Sequence, residues 1–250
     1  QGPLSEDLMA KLAGEELRDV PYYGILETKV GGADCVISQT GFTGEKGYEI
    51  YVRDAHENAE KMWNAVLEAG EEFGLMVIAP AHHRRIAAGI LSWGQDLDHE
   101  TSPFQVNLAY QVPRNKAADY IGKEELEKQR AVIDDGKAPF KMKMVGITLG
   151  GKEITDYAPD FWLIADTDGN DMGYVTSPWW SPELETNIAL AWVPWSSSEI
   201  GTKLLVRLPD EYSVSPGEPV EGEVVDVPFR ESVNPNKREV EKAKGLDFAE

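Results

Sequence analysis

Three glycines, Gly41, Gly44 and Gly47, recur every third residue between two β-prone runs, Cys35-Val36-Ile37 before them and Tyr48 to Val52 after. Glycine at such spacing lets a chain turn through positive φ and approach a ligand closely, because it carries no Cβ. The returning run alternates, with Tyr48, Ile50 and Val52 on one face and Glu49 and Tyr51 on the other. Glu49 thus points away from the core face, just past the turn, where a carboxylate can accept paired N–H donors from a planar heterocycle. The same spacing also describes a hairpin whose acid is merely solvated. A second constellation is His82-His83-Arg84-Arg85, which follows Pro80 at a predicted helix start. Cations at that end make a seat for a carboxylate, and the alternative is a solvated helix face. His82 and His83, adjacent on a helix, diverge by about 100° and are poorly placed to chelate one metal.

No Ser-His-Asp set, phosphate loop, dinucleotide fingerprint or metal-spaced His/Cys group is present. The glycine-rich stretch instead resembles the signature of the aminomethyltransferase family, the glycine-cleavage T-proteins and their folate-dependent demethylase relatives. The usual form is Arg-Thr-Gly-Tyr-Thr-Gly-Glu-(Asp)-Gly-(aromatic)-Glu, matched here by Thr40, Gly41, Thr43, Gly44, Glu45, Gly47, Tyr48 and Glu49. The resemblance implies that Glu49 binds the pterin of tetrahydrofolate, with Gln39 and Phe42 near it in place of the family's Arg and Tyr. Ala79 to Gly89 is similar to the family's Ala-Arg-Asp-(x)-Leu-Arg-Leu-Glu-Ala-Gly helix, followed by Gly94-Gln95-Asp96. The family's first arginine, a folate contact, falls on Ala81, its second on Arg85 and its glutamate on Ala87.

That altered helix, running into Leu91-Ser92-Trp93-Gly94, looks more like the demethylase branch, typified by dimethylsulfoniopropionate demethylase. Arg84 or Arg85 is then expected near the folate tail or a substrate carboxylate, and Trp93 near the cofactor. Tyr120-Ile121-Gly122-Lys123-Glu124, Gly173 to Ser177 with Ser181-Pro182, and Ile188 to Ala191 resemble further family segments in the family's order. The implied activity is methyl transfer from a small S-, N- or O-methyl donor to tetrahydrofolate. The alternatives are aminomethyl transfer with a lipoyl carrier protein and a non-catalytic folate-binding paralogue. The resemblance covers only the later part of a family member. A missing N-terminal portion or a partner chain is therefore expected to supply the start of the fold and the catalytic aspartate that glycine-cleavage members use.

Composition sets outer bounds. The 250 residues, 42% hydrophobic and 27% charged, suffice for one large or two modest domains. A formal net charge of −20 disfavours nucleic acid and anionic membrane partners. No apolar run approaches the roughly 20 residues of a membrane span, and the N-terminus does not read as a signal peptide. The single cysteine, Cys35, excludes an intramolecular disulfide and points to a cytoplasmic, reducing setting.

The elements that must position these groups are legible in outline. Helices are predicted over Ser5 to Leu17, Asp54 to Ala69, Pro80 to about Gly89, and Tyr120 to about Ala131. The second has Asp54 and Glu57 as a capping box, Gly70 as a C′ glycine, and an apolar stripe of Ala59, Met62, Trp63, Val66 and Leu67. Val20 to Lys29 and Ala33 to Ser38 read as strands joined at Gly31-Gly32, and Leu75 to Ile78 as a short strand. After residues 132–139 the texture changes to six short strands. They are Lys141 to Leu149, Asp160 to Ala165, Met172 to Ser177, Ile188 to Val193, Lys203 to Leu208 and Glu221 to Pro228. Six such strands suggest a barrel or sandwich. Trp179 and Trp180 fall on the loop after the third, as a lid, an interface or inter-domain packing. The expected fold is α+β, with a partial folate-binding α/β domain over 1–135, a small C-terminal β-barrel over 136–233, and a charged tail over 234–250.

Overall fold

A computed structural model describes residues 1–114 and 116–229. The chain forms two compact units, which meet in sequence at Ala81 and His82. The expected tail, 234–250, lies outside the described residues.

The first unit is a three-stranded antiparallel sheet under two helices. Strand β1 (Ile25–Val30), β2 (Ala33–Ser38) and β3 (Glu49–Val52) pair in that order. β1 starts later than the sequence suggests, because Pro21 to Gly24 closes a turn, Gly24 N donating to Pro21 O at 2.7 Å. Gly31 and Gly32, at φ +59 and +80, form the two-residue turn that pairs Val30 with Ala33. Helix α1 (Ser5–Ala13) and helix α2 (Ala55–Gly70) cover one sheet face. Met9, Ala13, Leu17, Val30, Cys35, Ile37 and Tyr48 form its core, with Ile50, Val52, Met62 and Val66 against it.

Four expectations in this unit are corrected. Asp54 precedes α2 in a left-handed conformation and makes no side-chain cap; Glu57 N instead bonds to Asp54 O at 2.9 Å. Gly70 stays helical at φ −76, and the left-handed residue after the helix is Gly74. A Cβ on Gly70 would strike Leu75, so that glycine serves close packing rather than reversal. Trp63, on the apolar stripe, remains 48% exposed, because the narrow sheet covers only the Met62 and Val66 side of the helix. Leu75 to Ile78 form no strand and are exposed.

The second unit is built on a closed barrel. Its strands are β4 (Met142–Leu149), β5 (Trp162–Ala165), β6 (Asp171–Ser181), β7 (Thr186–Pro194), β8 (Lys203–Val206) and β9 (Val220–Val225), all six antiparallel to their neighbours. They close in the order β4-β7-β6-β5-β8-β9. Val145, Ile147, Ile164, Val175, Ala189, Ala191, Val193, Leu204 and Val224 fill the interior. β7 is buried on both faces. Ile188, Leu190 and Trp192 point outward, under helix α3 (His82–Ala87), where Ile86, Ala87, Val106 and Met144 join them. That second layer explains why compactness groups residues 82–135 with the barrel, whereas chain texture places them with the first domain. Helix α4 (Lys123–Asp134) buries no residue fully.

β6 runs four residues further than its predicted end and carries Trp179 and Trp180 within the strand rather than on a loop. Its pairing to β5 ends at Val175, so Pro178 removes no ladder bond on that side. Among the described residues no helix is long and apolar enough to cross a membrane.

Candidate functional site

The glycine-rich loop leaves β2 at Ser38 and returns at Glu49, its direct partner across the ladder. Of the three glycines, only Gly44 needs a left-handed conformation, at φ +75. Gly41 and Gly47 instead leave room for the Gln1 side chain, whose amide donates to Thr40 O and Tyr48 O, both at 3.3 Å. The alternation of β3 follows from this register. Tyr48 is buried with the core, Tyr51 is 57% exposed, and Glu49 stands half-buried on the solvent side.

Glu49 is held by hydroxyls. Its Oε2 accepts from Thr40 Oγ1 and, at 3.4 Å, from Tyr51 Oη, while Thr40 Oγ1 also lies 3.1 Å from Ser38 Oγ. Oε1 accepts no hydrogen bond among the described residues. The carboxylate is thus oriented along one edge and keeps acceptor capacity along the other. Gln39 is buried, 3.4 Å from Tyr48 Oη, and its backbone ties the loop to Tyr23 and Gly24. Phe42 is 41% exposed near the loop's apex.

Arg84, Arg85 and Trp93 belong to the second unit and differ sharply from one another. Trp93 is 68% exposed on the turn after α3. Arg84 is exposed and, with His83, Ala87, Ser181, Pro182 and Glu183, lines a cavity of about 220 Å³. Arg85 is fully buried. Its Nη1 bonds Asp96 Oδ2 at 2.7 Å and Ile90 O at 3.1 Å, and its Nη2 bonds Ser177 Oγ at 2.7 Å and Gln95 Oε1 at 3.3 Å. Its Nε donates to His82 Nδ1 at 3.4 Å. All five guanidinium N–H groups therefore meet acceptors within the chain.

Asp96 closes this network and is buried with it. Thr176 Oγ1 and Ser177 Oγ both donate to its Oδ1 at 2.6 Å, and Ser92 N to its Oδ2 at 2.8 Å. Neighbouring residues of a regular strand point to opposite faces. Both hydroxyls reach one carboxylate because β6 bulges at Thr176, where Val175 pairs with Ala191 and Ser177 with Leu190. The turn carrying Asp96 is visible in the sequence, but the bulge that serves it is not. The Thr176-Ser177 hydroxyl pair inside an apolar strand is the one local signal.

His82 adjoins this network. Its ring stacks on Trp179, with centroids 5.2 Å apart and planes at 25°, and tilts against Tyr157 at 5.6 Å. Burial pushes its pKa below the ordinary value, the Arg85 charge adds to that, and Asp96 opposes it. Among the described residues no group of three or more His, Cys, Asp or Glu is placed to hold a metal ion.

Comparison with known proteins bears on both units. The GCVT N-terminal domain model matches residues 1–116, and the glycine cleavage T-protein C-terminal barrel domain model matches residues 143–229. The aminomethyltransferase of Geobacillus sp. (strain WCH70) is 32% identical over 232 residues, 92% of this chain and 58% of its own length. That of Clostridium botulinum (strain Kyoto / Type A2) is 33% identical over 211 residues, 83% of this chain and 54% of its own length. The crystal structure of glycine cleavage system aminomethyltransferase T from Bartonella henselae superposes with a TM-score of 0.71 at 23% identity, covering 93% of this chain and 58% of that one. That likeness is one of fold. The chain spans just over half the length of these relatives. With models of both family domains matching successive stretches, the chain belongs to the aminomethyltransferase, or glycine cleavage T-protein, family.

Proposed function

We infer that the chain works in tetrahydrofolate-dependent one-carbon transfer, and that Glu49 is the residue that grips the pterin. The observation that carries this is the state of the Glu49 carboxylate: half-buried, fixed along one edge by Thr40 and Tyr51, with Oε1 left to accept. A reduced pterin presents adjacent ring and exocyclic N–H donors, and such an edge fits them. When bound, tetrahydrofolate supplies a nucleophilic ring nitrogen for the one-carbon unit. The chain's own contribution is orientation, since Thr40 and Tyr51 hold the carboxylate and the β2–β3 register holds Thr40 and Glu49 together. Gln39 and Phe42 are assigned to the loop's ligand side as supports. Trp93 is assigned to ligand contact in the second unit on its exposure. Of the two arginines, Arg84 is assigned to a carboxylate, because it stands exposed at a cavity whereas Arg85 is fully buried.

For the donor, we favour a small S-, N- or O-methyl compound, as in the demethylase branch. Support comes from the helix that carries His82 and His83 where glycine-cleavage members carry Asp and a variable residue. A sulfonium leaves as a neutral thioether and needs no acid, whereas an amine or aryl ether does. The second reading is aminomethyl transfer with a lipoyl carrier protein, favoured by relatives at 32–33% identity that are aminomethyltransferases. Turnover assays analysed by mass spectrometry, with methyl donors in one arm and aminomethylated lipoyl carrier in the other, separate the two. Methyl-tetrahydrofolate formed without carrier supports the first; strict dependence on carrier supports the second. Failure of tetrahydrofolate to bind contradicts both.

A further inference from the structure

His82 is held at one edge of its ring and open at the other. Nδ1 accepts from Arg85 Nε at 3.4 Å. A guanidinium only donates, so Nδ1 must be the lone-pair nitrogen and the ring proton must sit on Nε2. Arg85 cannot swing away, since Asp96, Ser177, Gln95 and Ile90 fix its other end. The ring cannot flip freely either, stacked on Trp179 and lodged against Tyr157. A second proton would have to enter at Nδ1, facing the Arg85 donor, which agrees with the lowered pKa. Among the described residues nothing accepts the Nε2 hydrogen, and the residue is half-buried rather than sealed in. Packing alone does not call for a neutral, single-tautomer donor presented beside two aromatic rings.

We propose that His82 is a ligand-binding residue of the second unit, whose Nε2–H donates to a carboxylate or amide oxygen of a small molecule lying against Trp179 and Tyr157. Arg85 is the positioning residue that sets its tautomer. The assignment concerns the second unit alone and does not depend on Glu49. The oxygen has two possible sources, the acyl-glutamate part of a folate and the carboxylate of a methyl donor.

The test is NMR on the full chain with ¹⁵N-labelled histidine. Two-bond correlations should show the Nε2–H tautomer for His82 near neutral pH. Titration with p-aminobenzoyl-L-glutamate in one arm and N,N-dimethylglycine in the other should move the His82 Nε2 resonance with one of them, naming the source. H82F, which keeps a stacking ring and removes the donor, should weaken that probe about tenfold. H82Q, which keeps an N–H donor, should recover part of the loss. A Nδ1–H tautomer, an unmoved resonance in both arms, or equal probe affinity in H82F overturns the proposal. The tautomer and the resonance shift are read on the unaltered protein, so they stand even if a variant misfolds. Repeating the titration in E49A separates the two assignments, because loss of the Glu49 site leaves the His82 shift in place.

Discussion

The glycine-rich loop and the Arg85 network both fix ionisable side chains beside turns, Glu49 at the start of β3 and Arg85 on α3, and they treat them in opposite ways. Glu49 is held by two hydroxyls from residues at most nine positions away, and among the described residues its Oε1 accepts no bond. Arg85 and Asp96 are drawn out of water together and meet partners up to 92 positions away, on β6. Complete satisfaction marks a group whose work is internal. A buried ion pair of this kind is strongly destabilising to break, because the survivor stays charged without a counterpart. Partial satisfaction at a half-exposed position marks a group with capacity to bind something else. Within one chain, then, the sharper guide to a binding residue is the unmet half of its hydrogen-bonding inventory, not the strength of the charge.

The contrast can be broken first at Asp96. D96A should cost about 3–5 kcal/mol in urea unfolding, since it leaves Arg85 buried and unpaired. A cost under about 1 kcal/mol would show that the network is not what ties α3 and its turn to the barrel. Next come the two hydroxyls at the bulge. T176A and S177A should each cost about 1–3 kcal/mol, and the double variant should depart from their sum, because both act on one Asp96 oxygen. Strict additivity would deny that the bulge gathers them for a shared purpose. On the other side of the comparison, E49A should leave stability within about 1 kcal/mol of the parent by the same urea assay.

The smallest expected effect is the pH dependence at His82, which faces Arg85 on its own helix, Asp96 on the following turn, and Tyr157 and Trp179 from the barrel unit. Its folded pKa lies below its ordinary 6.5, so the unfolded chain takes up the proton first as pH falls. The stability associated with neutral His82 is therefore full above pH 6.5 and declines as pH drops from there towards the lower folded value. H82F should lack that component of the pH slope in thermal melts, and an unchanged slope would remove His82 from the account.

Much of the fold is legible because it is written locally. Alternation and turn residues delimit all six barrel strands to within a few positions, and Gly31-Gly32 marks its hairpin. What is hidden is non-local. Barrel closure through β4 with both β7 and β9 follows from pairings across the whole unit, not from any one strand. The stripe on α2 has the period of a buried face, yet Trp63 lies beyond the edge of what three strands cover. Capping residues locate the start of α2 but not its geometry, since Asp54 adopts a left-handed conformation and its carboxylate accepts no capping N–H bond. The same division holds for the candidate sites. Glu49 is visible because loop and strand adjoin in sequence. The Ser177 partner of Arg85, and the stacking of His82 on Trp179, emerge only when β6 lies against α3.

Whether Glu49 holds a reduced pterin is decided by isothermal calorimetry of tetrahydrofolate with the parent chain and with E49A. Binding that falls at least tenfold in a variant that unfolds at the parent's urea midpoint is the predicted result, tenfold being about 1.4 kcal/mol. Equal affinity in the two proteins would contradict it.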